Sequence, residues 1–419
     1  MRGDLHGLAA LSVFLSMFLW GFADAIAPLA TQWPMVPEGA YVYMLLAVPV
    51  GLVSGNLAMG HLADRVGRKP VMVAALAIYA AGAALVALAG SWAPLALGIA
   101  LLEFSVAGGD EPAMLSYLAE SSPARSRGSL IMLASNGANV GAAAAAAISM
   151  LAGGGFEGQR LALAATLALA LPLALAVRAG LPESAAWLRA RESGAGASLR
   201  RALGGAAKAY FLVTIALTTI LTYGLVSWAL APYFYPGMVP QIILEFNAGA
   251  VAGGLLGYAI VDRQDRRSAS LQYYAGGFLS GLAIVAQLAL LPSALWAFVP
   301  LLMINGAFTQ LTWGLRLVME PELFPTGLRA TSIAIIRTSG WIAYVASLFL
   351  TGGFTVVSFM AYDLALWALG VSGAAVWAAA GYETRGRAIE ELDFRASPRR
   401  SPRPWRASRP GPSASGASR

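Results

Sequence analysis

Among the ionisable side chains inside the long apolar stretches of this chain, Asp24, Glu103 and Arg337 are the most informative. An ionisable group at bilayer depth costs about 2.5–3.5 kcal/mol on insertion scales. Residues kept at that cost face a cavity or one another. A carboxyl out of water holds its proton more readily and releases it when water or an arginine arrives, which is the chemistry of proton coupling. Asp24 is the first candidate, because it sits alone between Gly21 and Pro28, where a helix backbone can bend. Glu103 is the second. The alternative for each is a buried structural partner of an arginine. Arg337 offers two readings: its fork holds a substrate carboxylate through two parallel hydrogen bonds, or it neutralises Asp24 or Glu103 internally. Tyr223, Trp228, Asn305, Thr309, Gln310, Trp313, Asn136 and Asn139 are the polar and aromatic residues that would shape a pocket. Asn305, Thr309, Thr312, Trp313 and Arg316 fall on one helical face. Glu245 and Asp363 read as acids hydrated near the outer interface.

A second set of charges repeats. Asp64-Arg65-Val66-Gly67-Arg68-Lys69 recurs as Asp262-Arg263-Gln264-Asp265-Arg266-Arg267, Glu120-x-x-Pro123-x-x-x-Arg127 as Glu322-x-x-Pro325-x-x-x-Arg329, and Pro182-Glu183-Ser184 loosely as Tyr382-Glu383-Thr384. All three repeats lie about 200 residues apart, the mark of a duplicated unit. An acid at a helix end can accept bonds from the N-terminus of a neighbouring helix while pairing with the arginines beside it. If that neighbour belongs to the other half, the contact shuts one side of the molecule. Asp64, Arg65, Arg68, Asp262, Arg263, Arg266, Glu120, Arg127, Glu322 and Arg329 are therefore the candidate gate, with a topology-setting basic loop as the plainer reading.

The elements that position these groups follow from composition. The chain is 58% hydrophobic and 12% charged over 419 residues, with a mean hydropathy of +0.67. A soluble domain carries about 25% charge. Twelve apolar runs are long enough for a bilayer: near 8–30, 40–60, 70–90, 92–118, 128–152, 160–181, 208–231, 238–261, 269–291, 294–319, 328–352 and 356–380. The first is too long for a signal-peptide core and is kept as a helix. Arginines fill the connections after runs 2, 4, 6, 8 and 10 and avoid nearly all the others, so both termini are expected in the cytoplasm. No cysteine is present and only two histidines, so neither a disulfide nor a metal site is expected. No nucleophile with a base and no phosphate loop is evident, so an enzyme is not expected, and neither is a cofactor. The net charge of +7 lies between apolar runs and in the tail, an arrangement that argues against nucleic-acid binding.

These motifs resemble a known family. Gly60-His61-Leu62-Ala63-Asp64-Arg65-Val66-Gly67-Arg68-Lys69 is similar to the signature loop of the major facilitator superfamily. Glu322-Leu323-Phe324-Pro325-Thr326-Gly327-Leu328-Arg329, Pro182-Glu183-Ser184 with Trp187-Leu188, and Glu383-Thr384-Arg385-Gly386-Arg387 resemble its sugar-porter and metabolite–proton symporter branches. Gly108-Gly109-Asp110-Glu111-Pro112 is similar to the symporter form of helix 4. The resemblance implies two six-helix bundles, a central cavity and alternating access. The departures narrow it. Ala100 stands where helix 4 commonly carries an arginine, and Thr218, Thr219, Thr222 and Tyr223 replace the paired glutamines of hexose carriers. Gly137-x-x-x-Gly141 lacks the proline of drug antiporters, and Asp265 and Tyr258 replace Gly67 and Gly60 in the second copy.

The expectation is thus an all-α membrane protein of twelve helices in two pseudo-symmetric bundles, 1–181 and 208–393, joined by a cytoplasmic linker at 182–207 and followed by a disordered basic tail at 394–419. It would be a monomer in the plasma or inner membrane, in contact with lipid, exchanging protons and a small polar metabolite by symport, a carboxylate ahead of a sugar. Asp24 and Glu103 would carry the proton. Arg337, Asn305, Thr309, Trp313, Tyr223 and Asn136 would hold the substrate. The competing readings are a facilitator or exporter without protons, and a membrane sensor that keeps the fold.

Overall fold

Helices of 21 to 29 residues dominate, long enough at 1.5 Å per residue to cross a bilayer. The computed structural model describes residues 2–105, 111–152, 155–192 and 204–396. Asp110, most of the expected linker and the tail from 397 onward lie outside them. The crossings are α1 (Arg2–Ala30), α2 (Tyr41–Val66), α3 (Arg68–Leu88), α4 in two pieces (Trp92–Glu103 and Glu111–Ser121), α5 in two pieces (Arg127–Ser135 and Gly137–Leu151) and α6 (Gly155–Ala179). The second set comprises α7 (Ala206–Gly224, continued by a π turn at Leu225–Ala229 and by Leu230–Phe234), α8 (Val239–Ile260), α9 (Arg266–Leu290), α10 (Leu295–Leu323), α11 (Arg329–Thr351) and α12 (Val356–Ala380). Among the described residues, eleven crossings are individually long and apolar enough to span, and α4 supplies the twelfth from its two pieces. The twelve-helix multi-pass reading stands.

Where the helices end matters for the charges. α2 runs on to Val66, so Asp64 and Arg65 belong to its last turn rather than to a loop. Gly67 stops it with φ +116°, a conformation that suits glycine. α10 runs to Leu323, which carries Glu320 and Glu322 on the helix. A short helix, Ala185–Glu192, forms inside the expected linker.

Small residues set which helices meet. A side chain on Gly51 of α2 would strike Ala100 and Glu103 of α4, and one on Gly253 of α8 would strike Ala307 of α10, so these pairs pack backbone to backbone. Between the first and second six crossings, α2 packs on α11, with Gly60 against Ala330 and Ala334. α5 packs on α8, with Met132 against Gly257. At the level of Trp20, α1 meets the π turn of α7. α1 and α7 are the most buried crossings and α6 the least, so α1 and α7 lie at the middle of the bundle and α6 at its rim.

Candidate functional site

At the end of the bundle that carries the repeated motifs, the charges form two matching clusters. In the first, Asp64 pairs with Arg68 at 2.5 Å, Arg68 with Glu120 at 3.1 Å, and Glu120 with Arg329 at 2.7 Å. Asp64 also accepts from the Thr331 backbone N–H at 2.8 Å, a free donor in the first turn of α11. In the second, Asp262 pairs with Arg266 at 2.9 Å, Arg266 with Glu322 at 3.5 Å, and Glu322 with Arg127 at 3.3 Å. Asp262 accepts from the Ser129 N–H at 2.6 Å, in the first turn of α5. Glu183 accepts from the Arg68 N–H at 3.0 Å and Glu383 from the Arg266 N–H at 3.1 Å. Ser184 donates to Glu120, and Thr384 to Glu322 at 2.6 Å.

Each cluster therefore joins helices of the two sets. Arg68 adds a further bond to the Thr326 carbonyl at 3.1 Å, and Arg127 one to the Arg387 carbonyl at 3.2 Å. Arg68, Arg127, Arg266 and Arg329 are buried, as are Glu120 and Glu322 at side-chain level. Pairs removed from water carry weight that surface pairs lack. Arg65 and Arg263, expected in this layer, are exposed, and their side chains carry no hydrogen bond or ion pair among the described residues.

The middle of the bundle holds a different arrangement. Asp24 of α1 and Glu103 of α4 are fully buried and neighbour each other, with the Trp20 indole beside both. The two carboxyls and the Trp20 N–H turn toward one another, and neither acid has an ion-pair partner among the described residues. Tyr79 lies close to both, but its hydroxyl is bonded to the Leu19 carbonyl at 2.7 Å.

Arg337 of α11 pairs instead with Glu111, at the start of the second piece of α4, and with Glu320 of α10 at 3.4 Å. Glu320 also pairs with Arg316 at 3.0 Å. The internal neutralisation expected for Arg337 occurs, but through Glu111 and Glu320 rather than Asp24 or Glu103. Among the described residues, two arginines and two glutamates thus balance in charge, while the Asp24–Glu103 pair stands beside them without a cation.

Above this network lies a cage of rings. Trp313 is 5.3 Å from Trp20 and 5.3 Å from Tyr223 between centroids, and Tyr223 meets Trp228 edge-on at 5.5 Å. Trp228 stacks on Trp341 at 5.6 Å. All five rings are buried; the Trp20 indole turns toward Asp24 and Glu103 and the Tyr223 hydroxyl toward Ser227, while the Trp228 and Trp313 N–H groups find no acceptor among the described residues. Buried donors ordinarily find partners, so two unpartnered indole donors on one cage suit an oxygen-bearing ligand. The π turn of α7 carries Trp228, and such turns recur at functional sites.

The remaining expected pocket residues are engaged elsewhere. Asn305 donates to Ser280 of α9 at 3.0 Å, and the Thr309 hydroxyl bonds to the Asn305 carbonyl at 2.9 Å. Asn136 donates to the Val251 carbonyl at 3.1 Å and accepts from Asn139 at 3.0 Å. Asn139 reaches Gln310 at 2.8 Å, and Gln310 reaches Ser135 at 3.0 Å, a polar bridge between α5 and α10. Asp363, expected to be hydrated, is fully buried without a hydrogen-bond partner, because α12 turns that face inward beside Trp367. Glu245 is partly exposed. Sequence reasoning gave no role to Glu320 or Arg316 as a pair, though their four-residue spacing signals one. The Glu111–Arg337 pair had no such signal.

A family model described as "Sugar (and other) transporter" matches residues 37–221. The chain is 27% identical to the 3-(3-hydroxy-phenyl)propionate transporter of Escherichia coli, over 72% of this chain and 74% of that one. It is 28% identical to the gallate transporter of Pseudomonas putida, over 77% and 79%. Among solved structures, the proton:xylose symporter XylE superposes with a TM-score of 0.76 at 16% identity, over 94% of this chain and 99% of that one, a likeness of fold. With twelve crossings and paired acid–arginine motifs that join the two sets of six, the chain has the fold of a major facilitator superfamily symporter and is similar in sequence to membrane transporters.

Proposed function

We propose that the chain imports a small carboxylate built on an aromatic ring, together with a proton, by alternating access. The observation that carries this reading is the cage of Trp20, Tyr223, Trp228 and Trp313, with its unpartnered donors, beside a carboxyl pair that lacks a cation. Aromatic rings are the surfaces on which a planar ligand stacks. Two acids out of water with no cation between them hold a proton jointly, and a change in hydration releases it. Asp24 and Glu103 are assigned that proton. The relatives named for 3-(3-hydroxy-phenyl)propionate and gallate support the substrate class, since both compounds are hydroxylated aromatic acids.

In this reading, segments 1–181 and 208–393 rock against each other, and the twin clusters at Asp64 and Asp262 hold the cytoplasmic side shut. The basic loops support a cytoplasmic location for that side and for both termini, in the plasma or inner membrane. The test is uptake by proteoliposomes holding the purified protein. An acid-outside gradient is expected to drive accumulation of gallate or 3-(3-hydroxyphenyl)propionate. Uptake indifferent to the gradient would make the protein a facilitator, and binding without flux would make it a sensor.

A further inference from the structure

Arg316 presents an open bidentate edge. Its guanidinium is fully buried, lies 4.4 Å over the Trp313 ring, and uses only Nη1, on Glu320 at 3.0 Å. Nε and Nη2 have no hydrogen-bond partner among the described residues. Those two N–H groups lie side by side and point the same way, the geometry that takes both oxygens of one carboxylate. Arg337 differs. Its Nη1 and Nη2 face Glu111 and its Nε faces Glu320, so both of its edges meet carboxylates. A buried guanidinium with an unpaired fork is costly to maintain unless a ligand completes it.

We propose that Arg316, rather than Arg337, anchors the substrate carboxylate through its Nε and Nη2, with the substrate ring lodged in the cage that Trp313 joins and Glu320 serving as the resident counter-ion on the other edge. This rests on the aromatic-carboxylate reading above and adds the residue that recognises the anion. The charged and titratable groups around the anchor are Glu320 on α10, Arg337 on α11, Glu111 on α4 and Tyr274 on α9. Arg337 and Glu111 remain paired when the substrate docks, so α4 and α11 stay linked across the halves. Arg316 then acts as a specificity determinant: it discriminates a carboxylate from its uncharged amide, which the rings alone would not.

The experiment is binding to the purified full chain, read by quenching of tryptophan fluorescence, with benzoate, gallate and 3-(3-hydroxyphenyl)propionate as probes and benzamide as the uncharged control. Arg316→Lys keeps the charge and removes the fork. It is expected to weaken carboxylate binding roughly ten- to hundredfold and to leave benzamide unchanged. Glu320→Gln, which leaves Arg316 less compensated, is expected to tighten carboxylate binding. Equal loss for acid and amide in Arg316→Lys means a structural role and overturns the proposal. Undiminished carboxylate affinity in Arg316→Lys, with loss in Arg337→Lys, also overturns it while leaving the substrate class intact. If no aromatic acid binds the unaltered protein, the functional reading itself falls.

Discussion

Thr331 gives both its backbone N–H and its hydroxyl to one oxygen of Asp64, at 2.8 and 2.6 Å, although the two residues are 267 positions apart and belong to different sets of six crossings. The acid thereby holds the first turn of α11 while its other oxygen pairs with Arg68. Asp64→Asn keeps the size and some of the bonding but removes the charge that both partners favour. The loss expected for this arrangement is about 1–2 kcal/mol, roughly a tenfold shift toward the state open at this end. The chain has no cysteine, so Ser135→Cys, facing Gln310 between the halves, provides a clean reporter. Maleimide should label it several-fold faster when Asp64→Asn is added. An unchanged labelling rate would remove the gate from the account.

Glu120 carries more than Asp64. It is buried and bridges Arg68 at 3.1 Å and Arg329 at 2.7 Å, one from each set. Neutralising it removes the anion between these two guanidinium groups and leaves Arg68 with Asp64. Removing one partner of a buried pair costs about 3–5 kcal/mol. Glu120→Gln should therefore depopulate the closed arrangement more strongly than Asp64→Asn, and Glu322→Gln should match it, because Arg127 and Arg266 surround Glu322 in the same way. Labelling of the same cysteine ranks the variants. A Glu322→Gln effect far smaller than that of Glu120→Gln would mean that only one cluster holds the bundle shut.

The matching clusters were legible because their logic is local. An acid four residues before an arginine at a helix end makes a pair whatever the fold, and the repetition of that pattern about 200 residues on announces a partner surface. The acid pair at Asp24 and Glu103 was legible through its cost in lipid. What could not be read was which buried charges meet. Glu111 and Arg337 are 226 positions apart, and their pairing depends on how α4 and α11 rotate against each other. Composition hides that rotation, because helices apolar on nearly every side give no clear inward face. Asn305 and Thr309 share a helical face by their spacing, and that face meets α9 at Asn305.

Asp363 tests the difference between a buried acid that works and one that does not. It is fully buried in α12, beside Trp367, and has no hydrogen-bond partner among the described residues. A buried unsatisfied polar group costs about 1–3 kcal/mol, and a leucine of similar reach removes that cost. Asp363→Leu is expected to raise the melting temperature by a few degrees and to leave uptake unchanged. Loss of uptake with an intact fold would give Asp363 a part in transport.

The charge balance at the centre fixes what must accompany the substrate. Among the described residues, Arg316 and Arg337 are matched by Glu320 and Glu111, so an arriving monocarboxylate adds one negative charge to a network that those four groups leave neutral. The nearest means of cancelling it is a proton on the Asp24–Glu103 pair, which has no cation of its own. One proton with one monocarboxylate carries no net charge, so uptake of benzoate should follow the pH gradient and ignore the membrane potential. Transport of a potential-driven cation would instead gain about 2.3 kcal/mol per charge at 100 mV, roughly fiftyfold. In proteoliposomes, an acid exterior should accumulate labelled benzoate, and a potassium-diffusion potential alone should not. Asp24→Asn fixes that position neutral, so it should abolish accumulation while preserving exchange of labelled for unlabelled benzoate, which needs no net proton movement. Glu103→Gln should reproduce the defect if the two acids share one proton, and should transport normally if Asp24 works alone. A steady current that accompanies uptake would show more than one proton per substrate and would break the one-to-one balance between the arginines and their acids.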